Sequence, residues 1–447
     1  MTRSIATKAL STAAIVAGTT LLAACAPERP LTENDPRVML VGIDGAEWSI
    51  LRRMIAEGEL PSFSRIVYGG ASGDLLSIEG RTSPAIWTTV VTGAAPEEHG
   101  IPRWTVPGDD GEPRLVTSNM RRRRTLWEIL SAAGLRSTVV GWIASWPATP
   151  LNGFMVTSYS PYATERDDPL RRTANPMKGS LWKDIEGQTW PPELIEEILP
   201  LRTTAPELTD ADLARFVALP IEDADPVAQS LVQSLRVGHA SDITFARVAD
   251  KLFGEKPASF MAVYLGGIDV VSHRFWRFMD QTHLPATELE KQRFGTVIEE
   301  YYRFVDERLG GLLERVDDDT TLVVCSDHGF GPARTAAAIA RELSGVHRMK
   351  GIVILYGRGV VPGAPIEGAS VYDLAPTILA LLRQPLAGDM RGRALLDALD
   401  ENARLAADLP PVATYETGET SAGEAQPIES PTDDAMLEQL RSLGYIK

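Results

Sequence analysis

The stretch Val38-Met39-Leu40-Val41-Gly42-Ile43-Asp44-Gly45 decides the fold. Its nearly uninterrupted apolar run ends at an Asp-Gly turn, a pattern typical of a strand that is buried on both faces. Other apolar runs of the same character lie at 137–141, 260–265, 321–325 and 352–356. Helical periodicity lies between these runs, most clearly over 288–316 and 372–382. Strands that alternate with helices predict an α/β fold, a doubly wound, mostly parallel sheet flanked by helices.

Composition and charge narrow the class of protein. The 447 residues are 44% hydrophobic and 23% charged, which is typical of a globular chain. The formal net charge is -16, and the main basic cluster is Arg121 to Arg124. Because binding to a phosphate backbone needs extended Lys and Arg surfaces, we expect no duplex nucleic acid partner. The cluster itself is interpreted as a solvated helix start or, alternatively, as a local phosphate or headgroup contact.

The N-terminus has the pattern of an export signal. Arg3 and Lys8 precede an apolar stretch that ends at Leu22-Ala23-Ala24-Cys25, which looks like a bacterial lipoprotein box. We therefore expect residues 1–24 to be a signal peptide and Cys25 to carry the lipid. Simple secretion and a retained anchor are the alternatives. The interpretation places the protein at a membrane through its N-terminal lipid, facing the periplasm or the exterior.

The rest of the chain divides by composition. Residues 25–36 are Pro-rich and polar, which favours a tether, and 37–400 hold the strand and helix patterns of the main domain. Within it, 151–249 is rich in Pro, Asp, Glu and Thr and weak in strand signals, so we expect an inserted cap. Residues 401–447 are predicted to be a flexible tail with a short C-terminal helix over 434–443.

Acidic and imidazole side chains recur directly after the apolar runs. They are Asp44, Asp269, His273, Asp327 and His328, in a chain with only six histidines. Sites in open parallel sheets form beyond the carboxyl ends of the strands, where these residues would converge. Each taken alone also fits a turn, a cap or a surface position, and only the joint placement favours a site. Mixed imidazole and carboxylate groups are ligands that a zinc-type ion prefers, so the pattern indicates a metal-dependent hydrolase.

Hydroxyl groups stand at the start of a helix-like stretch over 81–93. A helix N-terminus stabilises an anion, so Thr82 and Ser83 are candidate nucleophiles. A Ser or Thr at such a position is also a common helix cap, and the stretch alone leaves both readings open.

The ordered motifs resemble the type I phosphodiesterase/nucleotide pyrophosphatase branch of the alkaline phosphatase superfamily. The resemblance covers roughly 38–396. It is carried by Gly42-Ile43-Asp44-Gly45-Ala46, Ser83-Pro84, Trp87-Thr88-Thr89, Thr92-Gly93, Pro96, His99-Gly100-Ile101, the stretch from Tyr264 to Trp276, Ser326-Asp327-His328-Gly329-Phe330-Gly331-Pro332 and Tyr372-Asp373-Leu374-Ala375-Pro376-Thr377.

The resemblance implies a catalytic domain with two Zn²⁺ or similar divalent ions and a hydroxyl nucleophile between them. One ion would be held by Asp44, Ser83, Asp327 and His328, and the other by Asp269, His273 and His347. By the same resemblance His99 stabilises its loop. His239 and His283 match no motif and are interpreted as surface residues.

The position of the nucleophile depends on the motif used for counting. Counting back from Gly93 in the family pattern selects Ser83, whereas counting back from Pro84 selects Thr82. Ser83 is favoured, and Thr82 is kept as the alternative.

The resemblance implies hydrolysis of phosphodiesters or nucleotide pyrophosphates, in small-molecule or in lipid- or glycan-linked substrates. Alternatives on the same fold are a phosphomonoesterase, a phosphonate or sulfate ester hydrolase and a phosphotransferase. A sulfatase is disfavoured because Ser83-Pro84-Ala85 lacks the expected spacing and arginine. A non-catalytic metal-binding lipoprotein is a further alternative.

Overall fold

The computed structural model describes residues 29–32, 34–158, 185–218, 226–334, 343–416 and 425–429, with isolated positions 433, 437, 440, 441 and 446 near the C-terminus. The predicted signal peptide 1–24, the lipidated Cys25 and most of the predicted helix 434–443 lie outside the described residues, and so do the cap positions 159–184 and 219–225.

Strands and helices alternate along the described chain. The strands are β1 Arg37–Ile43, β2 Ala71–Leu76, β3 Thr105–Pro107, β4 Pro113–Leu115, β5 Ser137–Trp142, β6 Gly153–Thr157, β7 Thr189–Trp190, β8 Phe260–Leu265, β9 Thr320–Cys325, β10 Gly329–Pro332, β11 Gly345–Arg348, β12 Lys350–Gly357 and β13 Pro365–Ser370. The helices are α1 Trp48–Ala56, α2 Pro61–Gly69, α3 Ser83–Thr92, α4 Pro96–His99, α5 Leu126–Ala132, α6 Leu194–Ile198, α7 Asp210–Leu213, α8 Pro226–Glu255, α9 Gly267–Met279, α10 Glu288–Phe294, α11 Val297–Leu313, α12 Leu374–Leu381 and α13 Glu401–Ala407.

The described residues form a nine-stranded sheet in the order β13-β2-β12-β9-β1-β8-β5-β6-β7. Its centre, from β9 through β1, β8 and β5 to β6, is parallel throughout. Only β12 and β7 run against the others. All five strands predicted from apolar runs lie in this sheet, and the predicted mostly parallel α/β fold is confirmed.

The direction of β12 differs from the expectation for its apolar run. This strand pairs antiparallel with both β9 and β2. Its residues Ile352, Val353, Ile354 and Leu355 are fully buried, because the strand has neighbours on both edges and helices on both faces. Continuous apolar character therefore reports burial on two faces, which a central antiparallel strand shares with a parallel one.

Two hydrophobic cores lie on opposite faces of the sheet. Alternate residues of β1 enter different cores, with Met39 and Val41 on one side and Val38 and Leu40 on the other. The first core is covered mainly by α1, α2, α8, α9 and α11, and the second by α3, α5 and α12. Helices on both faces are what the doubly wound prediction requires.

Two other predictions are refined by the structure. The predicted helix 288–316 is divided into α10 and α11 at Gly295 and Thr296. A Cβ at Gly295 would lie 2.5 Å from the Lys291 carbonyl oxygen, so the close approach at this break needs glycine. The helix predicted over 372–382 is present as a short 3₁₀ turn followed by α12.

The range 151–249 contributes to the sheet as well as to its surroundings. It holds β6, the edge strand β7 and most of α8, which packs along β8. That the range forms a cap over the site stays a prediction. Among the described residues, none of the helices has the length and apolar character needed to cross a bilayer.

Candidate active site

Three adjacent parallel strands bring the candidate ligands to one edge of the sheet. Asp44 directly follows β1, Asp327 and His328 follow the neighbouring β9, and α9 follows β8 on the other side. Gly45 makes the turn after Asp44 with a φ of +77°. A Cβ at Gly45 would lie 2.7 Å from the Phe330 ring, so the turn needs glycine for both its conformation and its packing.

The first group of side chains consists of Asp44, Asp327 and His328. One potential ligand atom from each lies within 4.8 Å of the others. His328 Nε2 is 3.3 Å from Asp44 Oδ1 and 3.6 Å from Asp327 Oδ2. His328 Nδ1 lies 3.2 Å from the Gly329 carbonyl oxygen, which can only accept a hydrogen bond. Nδ1 therefore carries a proton, and Nε2 faces the two carboxylates.

The second group consists of Asp269, His273 and His347. Asp269 and His273 are one turn apart on α9, and His347 comes from β11, opposite Phe330 in the β10–β11 hairpin. Asp269 Oδ1 lies 3.4 Å from His273 Nε2 and 3.2 Å from His347 Nε2, and the two Nε2 atoms are 2.8 Å apart. His273 Nδ1 lies 3.0 Å from the Gly345 carbonyl oxygen, which again leaves Nε2 facing the group.

The two groups adjoin each other. His328 Nε2 of the first lies 3.7 Å from Asp269 Oδ1 of the second. The rings of His328 and His347 stack with their centroids 3.5 Å apart. The structure thus brings together the Asp and His members of the two sets that the resemblance implies, and these six side chains form one continuous polar cluster.

Burial shifts the pKa values of the side chains in this cluster. Asp44, Asp269 and Asp327 are each at most 1% exposed, whereas the His347 side chain is 31% exposed and faces the open side. Burial and the neighbouring Asp44 raise the pKa of Asp327 well above its usual range. For Asp269 burial acts in the same direction, but His273 and His347 outweigh it and hold its pKa well below the usual range.

The pKa values of His328 and His347 are shifted in opposite directions. Burial opposes the charged form of His328, but Asp327 and Asp44 raise its pKa to about 10. Burial, together with the adjacent His328, lowers the pKa of His347 to about 4. Three acidic side chains in a desolvated space therefore favour positive charge beside them, and the His328 imidazolium supplies part of it.

The donor set fits divalent cations. Both carboxylate oxygens of Asp327 and Nε2 of His328 are buried and make no hydrogen bond within the described part of the chain. Buried polar atoms without a hydrogen bond are costly unless another partner satisfies them. Nitrogen and carboxylate oxygen are the ligands that zinc takes in proteins, so each group offers three suitable protein ligands.

The candidate nucleophiles lie at the start of α3. Ser83 is the first residue of this helix and is 2% exposed, and Thr82 is its N-cap. The Thr82 side chain makes no capping hydrogen bond. Four residues after Ser83, the Trp87 indole N–H donates to Asp44 Oδ2 at 3.2 Å. One face of α3 is therefore directed at the first group of side chains.

Two supporting residues are not among the predicted site residues. The Tyr264 hydroxyl donates to Asp44 Oδ2 at 2.5 Å, so Asp44 Oδ1 is the oxygen nearer His328. The Asp242 carboxylate, on α8, accepts the N–H groups of Gly266 and Gly267 at 2.9 Å each. It thereby caps the start of α9, which carries Asp269 and His273. Asp242 lies seven residues from both Leu235 and Ala249, a spacing that places all three on one face of a helix. This spacing could have identified Asp242 as a buried residue, and all three are fully buried.

The three remaining histidines lie outside the two groups. His99 is fully buried, with Nε2 3.1 Å from the Ala85 carbonyl oxygen and Nδ1 accepting the Ile101 N–H, and burial lowers its pKa to about 3. It joins its own loop to the first turn of α3. The prediction of a surface position was wrong for His239, which is 5% exposed and packs edge-on against Phe216 and Phe304. His283 is exposed as predicted.

The basic cluster is engaged within the protein. Arg121 pairs with Glu128 at 3.0 Å, Arg123 pairs with Asp389 at 2.5 Å, and Arg122 donates to the Glu97 carbonyl oxygen at 2.6 Å. These contacts use three of the four guanidinium groups that the alternative interpretation assigned to a phosphate or headgroup.

A family model describes most of the chain. The model of "Type I phosphodiesterase / nucleotide pyrophosphatase" matches residues 38–404. No curated protein matches the chain by sequence.

Solved structures show more distant likenesses. Murine ectonucleotide pyrophosphatase/phosphodiesterase 5, in an inactive variant in complex with AMP, is 13% identical over 82% of this chain and 100% of its own, with a TM-score of 0.47. The human protein is 12% identical over the same shares, also with a TM-score of 0.47. Phosphonoacetate hydrolase from Sinorhizobium meliloti, in complex with phosphonoformate, is 18% identical over 68% of this chain and 59% of its own, with a TM-score of 0.37.

Proposed function

This chain belongs to the type I phosphodiesterase/nucleotide pyrophosphatase family, a family of phosphoric ester hydrolases, and we propose that it hydrolyses phosphodiesters with Ser83 as the nucleophile. The strongest support is the convergence of two buried His–carboxylate groups at one sheet edge, with α3 directed at the first of them through Trp87 and Asp44. Such a cluster suits a reaction in which negative charge moves between oxygens on phosphorus.

We propose that the two groups hold two divalent cations such as Zn²⁺. Asp44, Asp327 and His328 would hold one, with Ser83 as a further ligand, and Asp269, His273 and His347 would hold the other. Cations bound there would lower the pKa of the attacking hydroxyl and neutralise charge on the phosphoryl oxygens.

The protein's own groups then account for the covalent steps. Ser83 Oγ forms a bond to phosphorus as the bond from phosphorus to one ester oxygen breaks, and the first alcohol leaves. Water then attacks the phosphoserine, which releases the phosphomonoester and regenerates Ser83. The N-terminus of α3 lies at the attacking oxygen, where the helix dipole stabilises the developing negative charge.

Helix geometry favours Ser83 over Thr82. Ser83 and Trp87 are four residues apart in α3 and so lie on one face, and Trp87 donates to Asp44. Thr82 is the second candidate, because its Oγ1 is buried and makes no hydrogen bond with the described residues.

We also propose that the catalytic domain is held at a membrane by a lipid on Cys25. The support is the sequence itself, where a charged start and an apolar stretch lead to Leu22-Ala23-Ala24-Cys25 and a Pro-rich tether follows. The active site would then face the periplasm or the exterior.

A substrate panel tests the proposed reaction. Full-length protein reconstituted with Zn²⁺ is assayed on p-nitrophenyl phosphate, bis(p-nitrophenyl) phosphate, a nucleotide pyrophosphate and p-nitrophenyl sulfate. We expect the highest kcat/KM for the diester. A higher kcat/KM for the monoester or the sulfate would contradict the proposal and favour one of the alternative ester hydrolases.

A further inference from the structure

An apolar cavity of about 60 Å³ lies beside the N-terminus of α3. Pro84, which directly follows the proposed nucleophile, lines one side. Tyr264 lines it as well, and the hydroxyl of that side chain donates to Asp44 at 2.5 Å. The cavity therefore adjoins the proposed reaction centre through two separate residues, at the carboxyl edge of the sheet where ligands bind in this class of fold.

The lining of the cavity suits a neutral, apolar group. Its walls include Trp104, Leu115, Ile143, Trp146 and Phe245. Among the described lining residues none is Lys, Arg or His, and the only charged one is Asp433. These apolar walls offer little to offset the cost of desolvating a charged substituent.

The size of the cavity points to a small group. One water needs ~10–15 Å³, and a protein cavity that binds benzene measures ~150 Å³. A cavity of about 60 Å³ lies between these limits. It has room for a short alkyl chain, whereas a nucleobase would require the walls to move.

Part of the wall comes from the C-terminal segment, defined here as residues 425–429 with Asp433, Leu437, Leu440 and Ile446. Leu437 and Leu440 are 5% and 0% exposed and pack in one cluster with Leu115 and Trp146 of the cavity wall. Asp433 lies between the docked parts of this segment and lines the cavity itself.

Hydrogen bonds also attach the C-terminal segment to the chain that forms the wall. The Ile428 N–H donates to Thr117 Oγ1 at 3.1 Å, and Asn119 Nδ2 donates to the Gln426 carbonyl oxygen at 2.9 Å. Thr117 is itself a lining residue. The segment is thus attached along one side of the cavity by apolar and by polar contacts.

We propose that this cavity binds the substituent that stays on phosphorus after the first step, and that this substituent is a short neutral alkyl group. The docked C-terminal segment sets this preference. The inference rests on the proposed phosphodiesterase function and names the substrate class for it. It predicts a poor fit for nucleoside substituents at this position.

The test compares two diesters that share a chromogenic leaving group. Full-length, Zn²⁺-loaded protein is assayed on butyl p-nitrophenyl phosphate and on thymidine 5′-(p-nitrophenyl phosphate). We expect kcat/KM to be at least roughly tenfold higher for the butyl ester, since unmatched groups in an apolar pocket cost ~10–200-fold. Equal or better hydrolysis of the thymidine ester would overturn the inference and leave phosphodiester hydrolysis standing.

A variant of the docked segment provides the second arm. Leu440→Ser places a hydroxyl in a fully buried apolar contact and should release the segment, which limited proteolysis would show. We expect this variant to lose most of the preference for the butyl ester over the thymidine ester, through a higher KM for the butyl ester. Leu405→Ser makes the same change at a residue that is 66% exposed on α13 and should leave the preference as in the unmodified protein. Release of the segment without a change in preference would contradict its role.

Binding separates the two claims if neither ester is hydrolysed. In that case the proposed phosphodiesterase function fails, and calorimetry with dibutyl phosphate tests the cavity directly. Binding that is weaker in Leu440→Ser than in Leu405→Ser supports the cavity as an alkyl site, and absence of binding overturns it.

Discussion

The Asp242 carboxylate accepts the backbone N–H of Gly267 at 2.9 Å, and through this bond α8 fixes where α9 begins. The same carboxylate accepts the Gly266 N–H at 2.9 Å and the Tyr301 hydroxyl at 3.0 Å. A Cβ on Gly267 would overlap the Tyr301 hydroxyl, so a bare backbone is required at this point. Two metal-capable side chains, Asp269 and His273, follow within the first two turns of that helix.

Asp242→Asn should weaken metal binding. The amide keeps one acceptor oxygen but replaces the other with a donor that faces N–H and O–H groups, and hydrogen bonds to a charged acceptor contribute ~1.5–3 kcal/mol each. We expect Zn²⁺ affinity, measured by chelator competition, to fall by roughly 10–100-fold, as for other residues that orient ligands. Tyr301→Phe keeps both backbone bonds and should have a smaller effect. A lower melting temperature with unchanged Zn²⁺ affinity would mean that Asp242 is only structural.

Tyr264→Phe should disturb the first group of side chains. Without the hydroxyl, Asp44 Oδ2 keeps the Trp87 indole donor at 3.2 Å but loses the shorter bond at 2.5 Å. Loss of such an orienting bond typically costs ~10–100-fold in metal affinity or activity. Zn²⁺ titration and kcat for the diester would measure it. The matched control is Tyr356→Phe on β12, which removes a hydroxyl that accepts a hydrogen bond from Arg65 of α2. Equal effects of the two variants would contradict the assigned role.

His239→Leu should reduce the sensitivity of stability to acid. Burial lowers the pKa of His239 from its ordinary 6.5 to about 4, so between these values the unfolded chain binds a proton that the folded chain does not. The free energy of unfolding therefore falls as the pH drops through this window, by up to ~1.4 kcal/mol per pH unit.

Urea unfolding at pH 7 and pH 5 measures this contribution. The loss of stability on acidification should be about 2 kcal/mol smaller in His239→Leu than in the unmodified protein. The exposed His283→Leu should behave like the unmodified protein. An unchanged acid sensitivity in His239→Leu would show that His239 does not remain neutral in the folded state.

Cys25→Ser should release the protein from membranes. A serine cannot carry the thioether-linked lipid that the Leu22-Ala23-Ala24-Cys25 pattern predicts. Fractionation of cells that express each variant would measure it. Cys325→Ser changes a buried cysteine in β9 and should stay membrane-associated. Retention of Cys25→Ser in the membrane fraction would indicate a different anchor.

The parts of the fold that could be predicted from sequence are those with continuous apolar character. Strands β1, β5, β8, β9 and β12 are buried on both faces, so each has an unmistakable apolar run. Strand β2, next to the edge strand β13, could not be found this way, because its sequence Ala-Ser-Gly-Asp-Leu-Leu is only partly buried. The two-residue β7 is too short for any periodic pattern.

Some residues of the candidate site could likewise be predicted from sequence, and others could not. Asp44, Asp327 and His328 follow apolar strands, so their convergence could be inferred from strand ends. His347 lies on a short strand with no such signal and was placed only by the resemblance to a family. Asp242 and Tyr264 support the site through tertiary packing, Asp242 from α8 and Tyr264 from within β8, so their hydrogen bonds could not be inferred from strand ends.

The most direct test of the central claim is whether Ser83→Ala hydrolyses bis(p-nitrophenyl) phosphate. Thr82→Ala is the matched variant, and the Zn²⁺ content of both proteins is recorded. If Ser83 Oγ attacks phosphorus, Ser83→Ala should lower kcat by about 10³-fold or more, because removing a nucleophile leaves only residual catalysis by the rest of the site. Thr82→Ala should retain most of the activity. Full activity in Ser83→Ala with its loss in Thr82→Ala would contradict the assignment and move the nucleophile to Thr82.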